Sequence, residues 1–293
     1  MNVHTTVGFS GSGASRRALR WALQEATLTG RAVHVVAVDP PHGPRHPDPS
    51  LPVLQQLPSD VLERTLGEEL QRLPGRAGAV TTSVVTGDPG PALLLAAAGS
   101  SSLVLGCGRK VGPIGPGSGR VIRACLTKAP VPVVLVGPQA VLAAPRRLLL
   151  VSSPDVAVTD WVLGAAGRTR VSLRLLTTWS ATSIATRPST AERRHAHLLA
   201  AQRHQQVRAR LASGSARPLR ADITEGELAE VVPQRVSVGD LVVVGASDLR
   251  RLAVRTLRAP VVLVPASRAV VLSDVEGRIA DLTTGSEVLQ GIR

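Results

Sequence analysis

Residues 102–109 read SLVLGCGR and residues 240–247 read DLVVVGAS, two apolar runs that each end in glycine. The likeness extends on both sides of them. APVPVVLV at 129–136 returns as APVVLV at 259–264, and TTVGFSG followed by ALRWAL (5–11, 18–23) is echoed by LLLVSS followed by VTDWVLGAA (148–153, 158–166). One α/β unit is therefore written twice in 293 residues, and a repeat of that length constrains the architecture more than any single motif. Each half has room for about 130–150 residues, enough to bury a core of its own.

Within the first half, short Val-rich runs near 3–8, 33–38, 80–85, 102–106 and 131–136 have the composition of strands buried on both faces. Helical patterns lie between them. Residues 14–29 place Leu19, Leu23 and Ala26 on one face, and 51–73 form an amphipathic stretch after the Pro-rich PPHGPRHPDP. GDPGPALLLAAAG (87–99) is a helix opened by Asp88 and Pro89 and closed by Gly99. The second half repeats the order, with strands near 147–151, 171–177, 218–223, 240–245 and 260–264. Strands alternating with helices predict an α/β fold of two tandem doubly wound domains, each with a five-stranded parallel sheet. The domains span 1–140 and 146–266, with AAPRR (143–147) as the linker. Residues 267–293 have no counterpart, and VVLSDVEGRIADLTTG within them predicts a hairpin turning at Glu276 and Gly277. Trp21 and Trp161 hold matching helix positions and read as core residues.

Composition narrows the function classes. The net charge is +13, carried by 32 Arg and 2 Lys (Lys110 and Lys128), a balance that suits a polyanionic partner. Arg in place of Lys, abundant Ala and Val, and few Phe or Tyr are also what a GC-rich genome writes. Single-strand nucleic-acid binders stack bases on aromatic rings, and this chain has three Trp, one Phe and no Tyr. No specific nucleic-acid partner is expected. Cys107 and Cys125 are too few for a disulfide framework and lack metal-ligand spacing, so they read as buried packing residues in a reducing compartment. MNVHTTVGFSGSG lacks the features of a secretory leader, and no apolar run approaches the ~18 residues of a membrane span. The expectation is a soluble cytoplasmic protein.

Ligands of a doubly wound sheet bind beyond the carboxyl ends of its strands. Two loops of the first half reach that place: FSGSGAS (9–15), after the first strand, and GCGRKVGPIGPGSGR (106–120), after the fourth. The second has six glycines and leads into a helix whose free N–H groups suit a phosphate. It matches neither the P-loop pattern nor the dinucleotide G-x-G-x-x-G, so turn-making alone also accounts for its glycines.

Together the repeat and these loops resemble the universal stress protein family in its tandem form, over about residues 1–137 and 146–266. The resemblance implies an adenine nucleotide α-hydrolase-like, Rossmann-type fold and a stress-response or regulatory role without catalysis. Nucleotide-binding members carry G-x2-G-x9-G-[ST] after strand four and an Asp just after strand one. Here Gly8, Phe9, Ser10, Gly11, Ser12 put serine where that Asp is expected. Counting from Gly106, the second motif glycine becomes Arg109, Gly119 fits, and the final Ser/Thr becomes Arg120; Gly117 and Ser118 supply a Gly-Ser pair two residues early. The implied ligand is ATP or another adenine nucleotide, held by Gly8, Ser10, Gly106, Arg109, Gly117, Ser118, Gly119 and Arg120. Arg109 and Arg120 are expected to fold inward and fill the phosphate site; pointing outward, they would instead clamp a phosphate. The second half loses the cradle: 24 residues separate Gly106 from Pro130 but 15 separate Gly245 from Pro260, and ASDLRRLAVRTLRA holds no glycine. At most one nucleotide per chain is therefore expected. The two Val-rich strands that follow Ala-Pro are expected to lie near each other, so that one chain mimics a dimer, able to oligomerise further, with its protein partner unknown.

Other constellations are weaker. His197 and His204 are seven residues apart on AERRHAHLLAAQRHQQVRAR, with His195 beside them, but no carboxylate or cysteine stands at ligand spacing, and a solvated helix face is expected. G-F-S-G-S lacks the last glycine of a nucleophile elbow. SGSGAS (10–15) resembles the SGGxDS loop of ATP pyrophosphatases but departs at its third and fifth positions. An ATP-using transferase or ligase acting at 8–15 and 106–120 is the alternative function, with Asp39 and Asp88 as distant acid or base candidates; a basic interaction module is another.

Overall fold

The computed structural model describes residues 4–39, 59–71, 79–108, 119–142, 145–151, 155–169, 171–181, 188–215, 217–249, 251–252 and 254–265. Arg109, Gly117, Ser118 and the 267–293 tail with its expected hairpin lie outside them, as do the linker residues 143 and 144. The first half runs β1 (Thr5–Phe9), α1 (Gly13–Thr29), β2 (Val33–Asp39), α2 (Ser59–Gln71), β3 (Val80–Thr86), α3 (Pro89–Ala96), β4 (Ser102–Gly106), α4 (Arg120–Lys128) and β5 (Val133–Val136). The second runs β6 (Arg147–Val151), α5 (Val156–Thr169), β7 (Ser172–Trp179), α6 (Thr190–Gly214), β8 (Leu219–Glu225), α7 (Leu228–Arg235), β9 (Asp240–Val244), α8 (Ala246–Leu249), a 3-10 turn (Val254–Thr256) and β10 (Val261–Leu263).

The two five-stranded parallel sheets do not remain separate. They form one ten-stranded sheet in the order β3-β2-β1-β4-β5-β10-β9-β6-β7-β8. Only β5 and β10 are antiparallel, with Val134 opposite Val262, Val133 opposite Leu263 and Leu135 opposite Val261. The order reads the same from either end, so an approximate twofold axis passes through the Val134–Val262 pair. Joining the edges this way hides two apolar strands that would otherwise offer unpaired backbone to other chains. The remaining edges are the polar β3 and β8, where Arg174 of the neighbouring strand pairs with Asp222 (2.9 Å).

Alternation along each strand builds two core layers. Val134, Val262, Leu148 and Leu150 face α1 and α5, while Val133, Leu135, Leu149, Val242 and Leu263 face α3, α4 and α7. Both layers cross the junction between the halves. Each buried Leu or Val contributes about 1.5–3 kcal/mol, which binds the two halves through their shared centre. Local signals set the helix ends. Ser12 caps α1 by accepting the Ser15 N–H (3.2 Å), and Gly30 ends it with a φ of 68°. Ser189 and Glu192 form a capping box on α6. Trp21 is buried, Trp161 is half-buried, and Cys107 and Cys125 are buried thiols pushed up to about 12 and about 11 by burial.

Candidate functional site

β1 lies between β2 and β4, where the chain's crossovers change direction, and an open cleft lies at the carboxyl ends of these strands. Gly8, Ser10 and Gly106 line it, with Ser12 and Ser15 of the α1 N-terminus. Its walls are apolar: Val36 and Val38 of β2, Leu93 of α3, Leu105 of β4, and Val121 and Ile122 of α4. Three serine hydroxyls gather at its head. Ser10 Oγ and Ser12 Oγ are 3.0 Å apart, and Ser15 Oγ donates to the Ser12 carbonyl at 2.9 Å.

The two glycines have packing reasons of their own. A Cβ on Gly106 would lie 2.0 Å from the Ala14 carbonyl oxygen, because the first turn of α1 crosses the end of β4 in backbone contact. A Cβ on Gly8 would meet Leu105 at 2.7 Å. Gly119 stands at the N-cap of α4 without a side-chain cap, which leaves that helix's first N–H groups facing the cleft's end of the sheet.

Arg120 departs from the expected inward plug. Its side chain is 83% exposed, is absent from the cleft lining, and turns toward Asp88, with Nη2 3.9 Å from Oδ1. Two forces send it there. The N-terminal end of the α4 dipole repels a guanidinium, and Asp88, already placed at the α3 N-cap where it accepts the Gly90 N–H (3.4 Å), offers the opposite charge. Asp39 is buried at the end of β2 and does not line the cleft. Neither acid of the enzyme alternative therefore sits among the lining residues described.

The second half differs at the corresponding place. Gly245 leads directly into the one-turn α8, and burial pushes the Asp248 carboxyl up, with Arg251 and Arg203 opposing that shift. A second cleft opens instead beside the end of β7, lined by Thr178, Trp179 and Ser180 with Arg203, Glu227 and Arg251. Its carboxylate is already engaged: Ser180 Oγ donates to Glu227 Oε1, and Arg251 Nη2 donates to Oε2 at 2.8 Å. These contacts hold Glu227 below the usual carboxylate range, the Ser180 hydrogen bond first.

His204 corrects the solvated-face expectation. It is 4% exposed, with Nδ1 2.9 Å from Thr177 Oγ1, because α6 packs its His204 and Val207 side against the sheet. His197 is exposed and rests on the Trp179 ring at 5.1 Å. No cluster of metal-ligating side chains occurs among the described residues. The apolar walls of the first cleft are what sequence reasoning missed, since Val36, Leu93 and Ile122 carry no signal beyond ordinary strand and helix periodicity.

A parallel α/β sheet with its cleft at the switch point is the Rossmann-like architecture of adenine nucleotide α-hydrolases. Residues 1–137, a little under half of the chain, match the model of the universal stress protein family. Among solved structures, a universal stress protein from Archaeoglobus fulgidus DSM 4304 is 14% identical with a TM-score of 0.62, over 91% of this chain and 97% of that one. A functionally unknown protein from Pseudomonas aeruginosa PAO1 is 14% identical with a TM-score of 0.51, over 96% and 97%. Both span the two halves and share the fold. A shorter universal stress protein solved in complex with cAMP is 18% identical with a TM-score of 0.34, over 46% of this chain and 96% of its own. No curated protein matches the chain. No helix among the described residues is long and apolar enough to cross a membrane.

Proposed function

We propose that this chain is a cytoplasmic stress-response regulator that works by binding and not by catalysis, holding one ATP or related adenine nucleotide weakly in its first half and none in its second. The observation that carries this reading is the chemistry of the first cleft: among the described residues its lining has three serines and a set of apolar side chains, but no ionisable group. A serine hydroxyl needs an adjacent base to become a nucleophile, and none stands among the described lining residues. The apolar walls suit the flat face of a base, and the uncapped N–H groups of α4 suit a phosphate. Ser10 in place of a carboxylate supports weak affinity, because a neutral hydroxyl cannot supply the charge that family members place there. In the second half, Asp248 puts negative charge at the helix start where a phosphate would sit.

The reading includes two domains, 1–140 and 146–266, that share one sheet as an intramolecular pseudo-dimer. Its test is calorimetric titration of ATP beside a phosphate-release assay. Weak binding with phosphate release no faster than in buffer is expected. Release above that background would establish an enzyme, and absence of binding would remove the nucleotide.

A further inference from the structure

The second cleft, beside the end of β7, has a cavity volume of about 280 Å³, room for a molecule many times the size of water. Its shape comes from α6. Ala196, Leu199, Ala200 and Arg203 stand at i, i+3, i+4 and i+7 and so share one face of that helix. The two alanines leave a hollow in that face, and Leu199 adds an apolar surface that water covers poorly. Trp179 at the end of β7 supplies an aromatic wall, its ring braced by His197 at 5.1 Å.

Two charged groups in the lining are placed as the fold alone does not require. Glu227 occupies the N-cap of α7, where a side chain ordinarily accepts a helix N–H, yet it makes no capping bond. It is held at the cleft instead, where Ser180 Oγ donates to Oε1 and Arg251 Nη2 donates to Oε2 at 2.8 Å. Those contacts keep it charged and take one acceptor position on each oxygen. An ionised carboxylate has about four such positions, so about two stay open. Arg203 is the converse. Among the described residues its guanidinium makes no hydrogen bond or ion pair. Its charge is felt at Asp248, outside the lining, where burial pushes the carboxyl up and Arg251 and Arg203 oppose the shift.

The cleft therefore brings together open acceptors on a charged carboxylate, an unengaged guanidinium and an apolar wall. A simple anion would meet Arg203 but set its charge beside Glu227, and a simple cation would meet Glu227 but face two arginines. A molecule with both charges at one end satisfies both groups. We propose that this cleft binds one free α-amino acid with an apolar side chain, its carboxylate on Arg203, its ammonium on the open positions of Glu227, and its side chain along Ala196 and Leu199 against Trp179. The second half then carries a ligand of its own, of a class different from a nucleotide. The proposal does not rest on the nucleotide reading, since the cleft at Ser10 shares no lining residue with this one.

The probe is L-leucine, titrated calorimetrically into the full chain beside 3-methylbutylamine, which lacks the carboxylate, and 4-methylpentanoate, which lacks the ammonium. Saturable binding of one leucine per chain is expected, undisturbed by saturating ATP, with each analogue weaker by about tenfold or more, the worth of one charge-assisted hydrogen bond. Arg203→Gln should weaken leucine by a similar factor and leave 3-methylbutylamine unchanged. Ala196→Phe, which fills the hollow without touching a charge, should weaken all three. Should either variant fail to fold, the analogue series on the parent chain decides. Absence of saturable binding, displacement of leucine by ATP, 4-methylpentanoate binding as tightly as leucine, or leucine affinity that ignores Arg203→Gln or Ala196→Phe would overturn the proposal.

Discussion

Gly106 shows how one residue can serve a fold and look like a ligand motif. Its missing side chain lets the α1 backbone cross the end of β4, so Gly106→Ala, with a Cβ 2.0 Å from the Ala14 oxygen, should cost roughly 3 kcal/mol or more in denaturant unfolding. A loss under about 1 kcal/mol would show that the crossing relaxes easily. Arg120 is the opposite case, a side chain held outward by an exposed, weak ion pair. Its charge remains near the α4 N-terminus, so Arg120→Ser should lower ATP affinity about two- to fivefold, the range of a single exposed charge interaction. Tighter binding in that variant would show that the arginine obstructs the site. His204 is the residue where pH should be felt. Burial, assisted by Arg208 and opposed by Asp222, holds it below its ordinary 6.5. The unfolded chain therefore takes up the proton first as pH falls. Stability from this group is complete above the ordinary value and declines as pH drops through the lowered one. Melting curves from pH 8 to pH 5 should show a shallower loss in His204→Gln than in the parent, and an equal loss would refute the assignment. Thr177→Val, which strands the His204 Nδ1, should cost about 1–3 kcal/mol at neutral pH.

Elements were legible wherever period and punctuation agreed. The Val-rich runs became strands within a residue or two, since a strand buried on both faces needs little beyond β-branched apolar residues. Asp88 with Pro89 marks a helix start in the sequence as it does in the structure. What the sequence did not carry was which faces meet. The side of α6 that holds His204 reads as basic and solvated, with Arg and Gln all around it, yet tertiary packing turns His204 and Val207 inward. That the Val-rich strands β5 and β10 meet was expected from the repeat and the family resemblance, and they do; their antiparallel register, joining residues more than 120 positions apart, was not announced by any local pattern. The glycines of the first-half cleft were visible; its apolar walls were not, for they come one at a time from β2, α3, β4 and α4. The junction gives a prediction at this scale. Val262→Asp places an uncompensated charge at a fully buried position and should cost on the order of 4 kcal/mol, whereas Thr82→Asp on the exposed edge strand β3 should stay within about 1 kcal/mol. Equal costs in urea melts would show that the centre of the sheet is not where the halves are held together.

As a whole molecule, the chain is a duplication whose two copies share one sheet but differ where β4 and β9 end. The sheet is palindromic in strand order, but the ends of the two halves are not alike. The first half has an open apolar cleft where β4 ends; the second passes from Gly245 directly into the single turn of α8, with Asp248 in it. On the proposed reading, a duplicated fold with one cleft able to hold a nucleotide would be one-sided in its chemistry while remaining symmetric in its sheet. The most direct test is the stoichiometry of ATP on the full chain by titration calorimetry. The account predicts a single weak site, one nucleotide per chain, lost when the cleft is filled by Val36→Phe and unchanged by Asp248→Asn; two sites per chain, or one that survives Val36→Phe, would contradict it.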